Sequence, residues 1–267
     1  MATILKIGGS VITDKDSEGV IFYDVLERLL GELQDYRGQH TDDDIYLIHG
    51  GGSYGHQAVQ LMEKNELTAE GVHRAVCRLN TVVVEYAKKV GIDIETHAPF
   101  DNCTFAKGEH QYNIDRLWDK LKAVTEEKKV ALTFGDMIPD DSGGHFVISG
   151  DMMAVLFAEK LLSPDKPHPR IIMVTNVDGV YDKNPDLYED AKLIHEIRNG
   201  EKIDVEYENS VTDVTRGMKG KVGLLRNRAA KQGVISHIIN GKNADNLKRA
   251  LNNDYSFGTL ILPNGEH

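Results

Sequence analysis

Six short apolar runs punctuate the chain: ATILKIGGSVI, IYLIHG, VALTFGD, RIIMVTNV, VISHIING and GTLIL. Several carry apolar residues at consecutive positions, not alternate ones. A strand of that kind must be covered on both faces, which is the situation inside a central parallel sheet. Between the runs lie stretches with apolar residues at spacings of three and four: Asp24 to Tyr36, 72–90, Ile114 to Glu126, Asp151 to Leu162 and Met218 to Gln232. Strands alternating with helices of this length make βαβ units. The expectation is therefore an α/β fold: an open, mainly parallel sheet with helices on both faces, a three-layer αβα sandwich. Pro139 to Ile148 reads as a β-hairpin turning at Ser142-Gly143-Gly144, and 163–170 as an exposed loop.

The totals limit what such a sheet serves. With 42 acidic against 31 basic residues the net charge is −11, which argues against nonspecific nucleic-acid binding. A small phosphorylated ligand remains compatible, since a local basic pocket can sit on an acidic protein. No run is long or apolar enough for a bilayer, and the N-terminus reads as a first strand, not a secretory leader, so the expected address is cytoplasmic. Cys77 and Cys103 have no metal-ligand or disulfide spacing.

Three glycine-rich turns follow expected strands. After the first, Lys6-Ile7-Gly8-Gly9-Ser10 offers two glycines whose amides can approach a bound group, with Lys6 as a point charge and Lys15 as a second one in the loop beyond. After the second, His49-Gly50-Gly51-Gly52-Ser53-Tyr54-Gly55-His56 feeds a helical stretch, a combination of backbone donors and helix dipole that suits an anion. It is neither a P-loop nor a dinucleotide GxGxxG in context. His56 stands where an imidazole can donate to a phosphate oxygen. The third, Thr175-Asn176-Val177-Asp178-Gly179-Val180-Tyr181, is ordinary turn chemistry or a nucleotide grip. Further on, Gly217-Met218-Lys219-Gly220-Lys221 puts two cations at what reads as a helix start, a position the dipole disfavours unless an anion offsets it. Ser149-Gly150-Asp151 opens another helix, where Asp151 either caps the helix or organises the lysines.

The combination of KxGGS, GGG, SGD and T-[ND]-V-D-G-[VI]-Y, in this order over most of the chain, resembles the amino acid kinase superfamily, which includes acetylglutamate, aspartate, uridylate, glutamate 5- and carbamate kinases. Within it, HGGGSYGH looks like the isopentenyl phosphate kinase branch, and the fosfomycin kinase branch shares its final histidine. The resemblance implies one amino acid kinase domain over 1–267, with an acceptor lobe about 1–165 and a nucleotide lobe about 166–267. It implies ATP as co-substrate with Mg²⁺, no protein-held metal, and a homodimer, for which the apolar helix 72–90 is one candidate surface and intramolecular packing its alternative. By the same matching, Lys6, Gly8, Gly9, Ser10, Gly52, Asp178, Gly217 and Lys221 would meet ATP, with Lys15 as a further phosphate contact. Gly51, His56 and Gly150 would meet the acceptor, and Asp151 would organise the lysines. Two residues depart from the pattern: Tyr54 where the branch commonly has Phe, and Arg216 where it has Gly.

The implied reaction is in-line attack by an acceptor phosphate on the γ-phosphorus of ATP, in isoprenoid precursor supply. The alternatives are a kinase for another phosphate or phosphonate such as fosfomycin, and a non-catalytic sensor on the same fold. Val59, Met62, Val76, Leu79 and Val83 are candidates to line an apolar acceptor slot.

Overall fold

The structure is a computed structural model that describes residues 1–14, 17, 19–201 and 214–264, with backbone alone for 214–216. In chain order the first half contains β1 (Ala2–Ile7), the single turn α1 (Gly9–Ile12), α2 (Tyr23–Gln39), β2 (Asp44–His49), α3 (Gly52–Glu63), α4 (Ala69–Lys89), β3 (Ile94–Thr96), β4 (Thr104–Ala106), β5 (Gln111–Asn113) and α5 (Asp115–Glu126). The second half continues with β6 (Val130–Phe134), β7 (Asp136–Pro139), β8 (His145–Ile148), α6 (Gly150–Leu161), β9 (Arg170–Thr175), β10 (Val180–Tyr181), β11 (Leu193–Ile194) and β12 (Glu196–Arg198). It closes with α7 (Val214–Leu224), β13 (Ile235–Asn240), α8 (Asn246–Leu251) and β14 (Thr259–Leu262).

One sheet in the order β12-β14-β13-β9-β1-β2-β6-β3 runs through the molecule. All its pairings are parallel except β13 with β14. Successive residues of its strands enter opposite cores. Ile4, Ile48, Ile171 and Ile238 face the layer of α5, α6 and α7, whereas Leu5, Leu47, Ile172 and Ile239 face α1, α2, α4 and α8. This is the three-layer αβα sandwich expected from runs apolar on both faces. The hairpin of β7 and β8 also stands where its turn residues placed it, with Gly143 in the left-handed region at φ +82°.

One expectation needs correction and another is sharpened. The first apolar run stops as a strand at Ile7, and Ser10-Val11-Ile12 belong to the helical turn α1, because the chain must leave the sheet edge at Gly8. The stripe on 72–90 is consumed within the chain: Leu79, Val83 and Ala87 join the main core, and Val72 and Ala75 join a smaller cluster under α3. Intramolecular packing, the alternative reading of this stripe, thus covers its apolar side.

Candidate active site

The parallel registers bring five strand ends level. Ile7 pairs with His49 and Val174, His49 with Phe134, and Val174 with Ile239. A glycine follows each of four of these strands and extends the ladder by one bond. Gly8 N–H donates to Val174 O (2.8 Å), Gly50 to Ile7 O (2.9 Å), Gly135 to His49 O (3.0 Å) and Gly241 to Thr175 O (2.7 Å). The Gly8 amide is thus committed to the sheet, contrary to the expectation of free donors at both glycines of the first turn. One residue later α1 begins, and the Gly9 and Ser10 amides stand in its first turn, where a helix offers them no acceptor.

The first two glycine turns lock together. A methyl group on Gly9 would overlap the backbone nitrogen of Gly52, and one on Gly50 would sit 2.7 Å from Gly9 N. Gly52 lies at φ +55°, which favours glycine, and a side chain there would strike Thr13. Thr13 pins the seam: its hydroxyl donates to Gly9 O (2.9 Å) and accepts from Ser53 N–H (3.0 Å). Sequence reasoning missed Thr13, whose threonine identity carries no local signal. His49, the first histidine of the block, is buried between Gly50 O (3.0 Å) and Asn80 Oδ1 (3.3 Å) and stacks on Phe134. Burial pulls its pKa down to about 4, so it is a neutral structural group.

Beside this seam lies the charged centre. Lys6 Nζ stands 2.8 Å from Asp151 Oδ1, and Lys221 Nζ donates to Asp151 Oδ2 at 2.5 Å. Both lysines are buried. Gly150 makes room for the first of them, since a Cβ there would come within 3.4 Å of Lys6 Cε. Burial alone would raise the Asp151 carboxyl, but Lys6 and Lys221 outweigh it and hold it well below the usual carboxylate range. Burial, followed by repulsion from Lys6, lowers Lys221 to about 8 against the attraction of Asp151. Ser149 does the capping of α6, accepting from Met152 N–H (3.1 Å), which leaves Asp151 free for the lysines. The dipole argument for 217–221 also changes. Helix α7 begins at Val214, so Lys221 lies in its last turn, where a cation is favoured.

On the other helix, His56 is exposed on α3, and Gly51 and Gly55 rest on Val76 of α4. One turn beyond His56, Val59 and Met62 pack with Val72, Met137 and Phe100 into a small apolar cluster. Of the slot candidates, Val59 and Met62 belong to this cluster, Val76 is buried beside Gly51 and Gly55, and Leu79 and Val83 face the main core. The cluster is bordered by a polar pair that the sequence did not flag: His73 Nδ1 donates to the fully buried Asp136 (2.8 Å), and the His73 ring stacks on Phe100.

Across the sheet, Asp178 follows β9 and is exposed. Its carboxylate accepts from Asn240 (2.8 Å), Asn243 (3.1 Å) and Tyr181 (3.2 Å). Gly217 is exposed on α7, with nothing within 4 Å of a Cβ placed there. Lys15 and the side chain of Arg216 lie outside the described residues. The edge thus gathers Lys6, Gly8, Gly9, Ser10, Gly51, Gly52, Gly150, Asp151 and Lys221 around the ends of β1, β2 and β6. Asp178 lies farther along, after β9.

Comparison with known proteins gives a consistent result. The family model described as "Amino acid kinase family" matches residues 1–240. An isopentenyl phosphate kinase of Methanothermobacter thermautotrophicus is 34% identical, over 99% of each chain. Another, of Methanocaldococcus jannaschii, is 30% identical over 94% of this chain and 95% of its own. A solved isopentenyl phosphate kinase superposes with a TM-score of 0.79 at 30% identity, covering 98% of this chain and all of the other. The chain belongs to the amino acid kinase family, in its isopentenyl phosphate kinase branch.

Proposed function

We propose that this chain is an ATP-dependent kinase that converts isopentenyl phosphate to isopentenyl diphosphate. The observation that carries the proposal is an adjacency. The Lys6–Asp151–Lys221 centre lies beside the interlocked glycine turns, and an apolar cluster begins one helical turn past His56. A charged head and a short apolar tail have separate places.

In this reading the Gly9 and Ser10 amides with Lys6 and Lys221 receive the phosphates of ATP, and Asp178 and Gly217 lie on the nucleotide side. Gly51, Gly150 and His56 hold the acceptor phosphate. A non-bridging oxygen of that phosphate attacks the γ-phosphorus, and the bond from phosphorus to the β,γ-bridging oxygen breaks. ADP leaves with the electron pair. The second pKa of a phosphate monoester is about 6, so the nucleophile is largely a dianion near neutrality and no general base is required. Lys6 and Lys221 neutralise charge on the transferred group, and Asp151 keeps the two ammonium groups together despite their repulsion.

Among the described residues no three His, Cys, Asp or Glu side chains converge as a metal cage, and Asp151 is engaged by two lysines. Mg²⁺ in this proposal enters with ATP and contributes charge neutralisation on its phosphates. A cytoplasmic homodimer, with an acceptor lobe about 1–165 and a nucleotide lobe about 166–267, completes the proposal. Light scattering in solution measures the pairing.

The test is ADP release from Mg-ATP with isopentenyl phosphate, dimethylallyl phosphate, fosfomycin, carbamate, acetylglutamate and UMP offered separately. Turnover confined to the isoprenoid monophosphates is expected. Turnover of fosfomycin alone would move the function to antibiotic modification, and ATP binding without turnover of any acceptor would favour a sensor.

A further inference from the structure

We propose that Arg28 and Glu32 of α2 are positioning residues for the nucleotide: they clamp the segment 241–245 so that Asn240 and Asn243 orient the Asp178 carboxylate. The inference rests on the placement of Asp178 on the nucleotide side in the reading above. The hydrogen bonds that carry it do not depend on that placement.

The segment leaves β13 at the sheet edge and enters α8, and its carbonyls need donors once the ladder ends. Arg28 supplies them: its guanidinium donates to Gly241 O (2.5 Å), Lys242 O (3.3 Å) and Asn243 O (3.4 Å). A planar fork with several N–H groups can span three carbonyls, whereas a single ammonium cannot do so as well. Glu32, one turn along α2, accepts from Arg28 (2.8 Å), from Asp245 N–H (3.2 Å) and from Lys248 N–H (2.9 Å). Glu32 is buried, and a buried carboxylate is tolerated when its oxygens are bonded in this way. Asp245 stands in the left-handed region at φ +63°, an uncommon conformation that the bond from its amide to Glu32 helps to hold.

Apolar burial does not fix this segment, because Lys242, Asn243, Ala244 and Asp245 are all exposed. What the clamp places is a pair of amides. Asn240 Nδ2 (2.8 Å) and Asn243 Nδ2 (3.1 Å) both donate to Asp178 Oδ1, while Tyr181 donates to Oδ2 (3.2 Å). Asn240 is fixed in turn: its Oδ1 accepts from Lys242 N–H (2.9 Å), and its backbone carbonyl accepts from Asn246 Nδ2 (3.1 Å). An exposed aspartate has rotamer freedom to lose, and two donors on one oxygen hold its carboxylate in a single plane before a ligand arrives. A continuous chain of bonds therefore runs from α2, through the segment after β13, to the carboxylate after β9.

Calorimetric titration of the full chain with Mg-ATP, without acceptor, tests the proposal, beside the KM of isopentenyl phosphate at saturating ATP. Asp178→Ala and Arg28→Gln should each weaken ATP binding roughly tenfold, the equivalent of one hydrogen bond to a charged group. The acceptor KM should stay within about twofold in both, a split that a general loosening of the fold would not produce. Arg28→Lys should keep most of the loss, since it retains the charge without the fork. Asn243→Ala removes one exposed amide and should weaken ATP binding roughly threefold. R28Q/N243A should be no weaker than Arg28→Gln alone, because both act through one network. ATP binding unchanged in Arg28→Gln, whatever its Tm, would overturn the proposal, as would losses that multiply in the double variant. If Arg28→Gln does not fold, unchanged ATP binding in Asn243→Ala overturns it instead. Unchanged binding in Asp178→Ala would remove Asp178 from the nucleotide site and the positioning role with it. Wild-type turnover of isopentenyl phosphate, measured separately, decides the proposed function independently of these outcomes.

Discussion

The ends of β1 and β2 and the ends of α6 and α7 meet at one edge of the sheet, but different forces hold them. The first pair is joined backbone to backbone: Gly9, Gly50 and Gly52 approach so closely that no side chain fits, and Thr13 ties the seam. The second pair is joined by charge, through Lys221 on the Asp151 carboxylate, which Lys6 of β1 also reaches. The contrast teaches that the glycine side owes its shape to steric exclusion, which is insensitive to pH and salt. The lysine side depends on protonation, since burial and the neighbouring charges shift both Asp151 and Lys221.

The sharpest way to break the glycine side is Gly52→Ala. The left-handed φ and the collision with Thr13 together should cost about 3 kcal/mol, which lowers Tm by roughly 10 °C in a domain of this size. Activity should fall with the fold, as calorimetry and ADP release would show. An unchanged Tm would mean that the seam is not sterically closed.

Lys221→Met breaks the other side without that collapse. Loss of one charge-neutralising group should reduce kcat by roughly 10²–10³-fold. Tm should stay within a few degrees, because Lys6 still pairs with Asp151. A loss of activity below tenfold would remove Lys221 from the phosphate path.

His56→Ala should raise acceptor KM by roughly 10–100-fold, the equivalent of one hydrogen bond to a charged group, with ATP KM nearly unchanged. Equal effects on both substrates would sink the assignment of His56 to the acceptor.

A pH series sharpens the comparison with the smallest effect. In the free protein Lys221 titrates at about 8, so kcat/KM for ATP should fall as pH rises through that value. Stability should move the opposite way. The unfolded chain holds that proton up to about 10.5, hence binds more protons than the folded one between these limits, and unfolding free energy should rise with pH there. Lys221→Met should remove both trends, and Gly52→Ala neither.

The residues of the proposed centre were legible from local signals of different strength. Lys6, the glycine turns and SGD each follow or precede a recognisable element, so their place at the strand ends could be read from the pattern of runs. The helix bearing Lys221 was recognisable but its start was misplaced, because residues before Met218 carry no apolar periodicity. Thr13 and the His73–Asp136 pair gave no signal, since their partners are distant along the chain. Helix 72–90 shows the limit of periodicity: an apolar stripe declares that something covers it, and only the packed chain shows that α2, α3 and the sheet do.

By itself the sequence determined the layer architecture, since strands with apolar residues at consecutive positions need cover on both faces, and it determined where the glycine-rich turns fall along the chain. Tertiary structure decided that the sheet takes the Gly8 amide, which of two histidines in one block is buried, and that Asp151 binds lysines while Ser149 caps the helix. Those outcomes depend on parallel register and on close approach between segments far apart in sequence. Neither has a signature in any single stretch of residues.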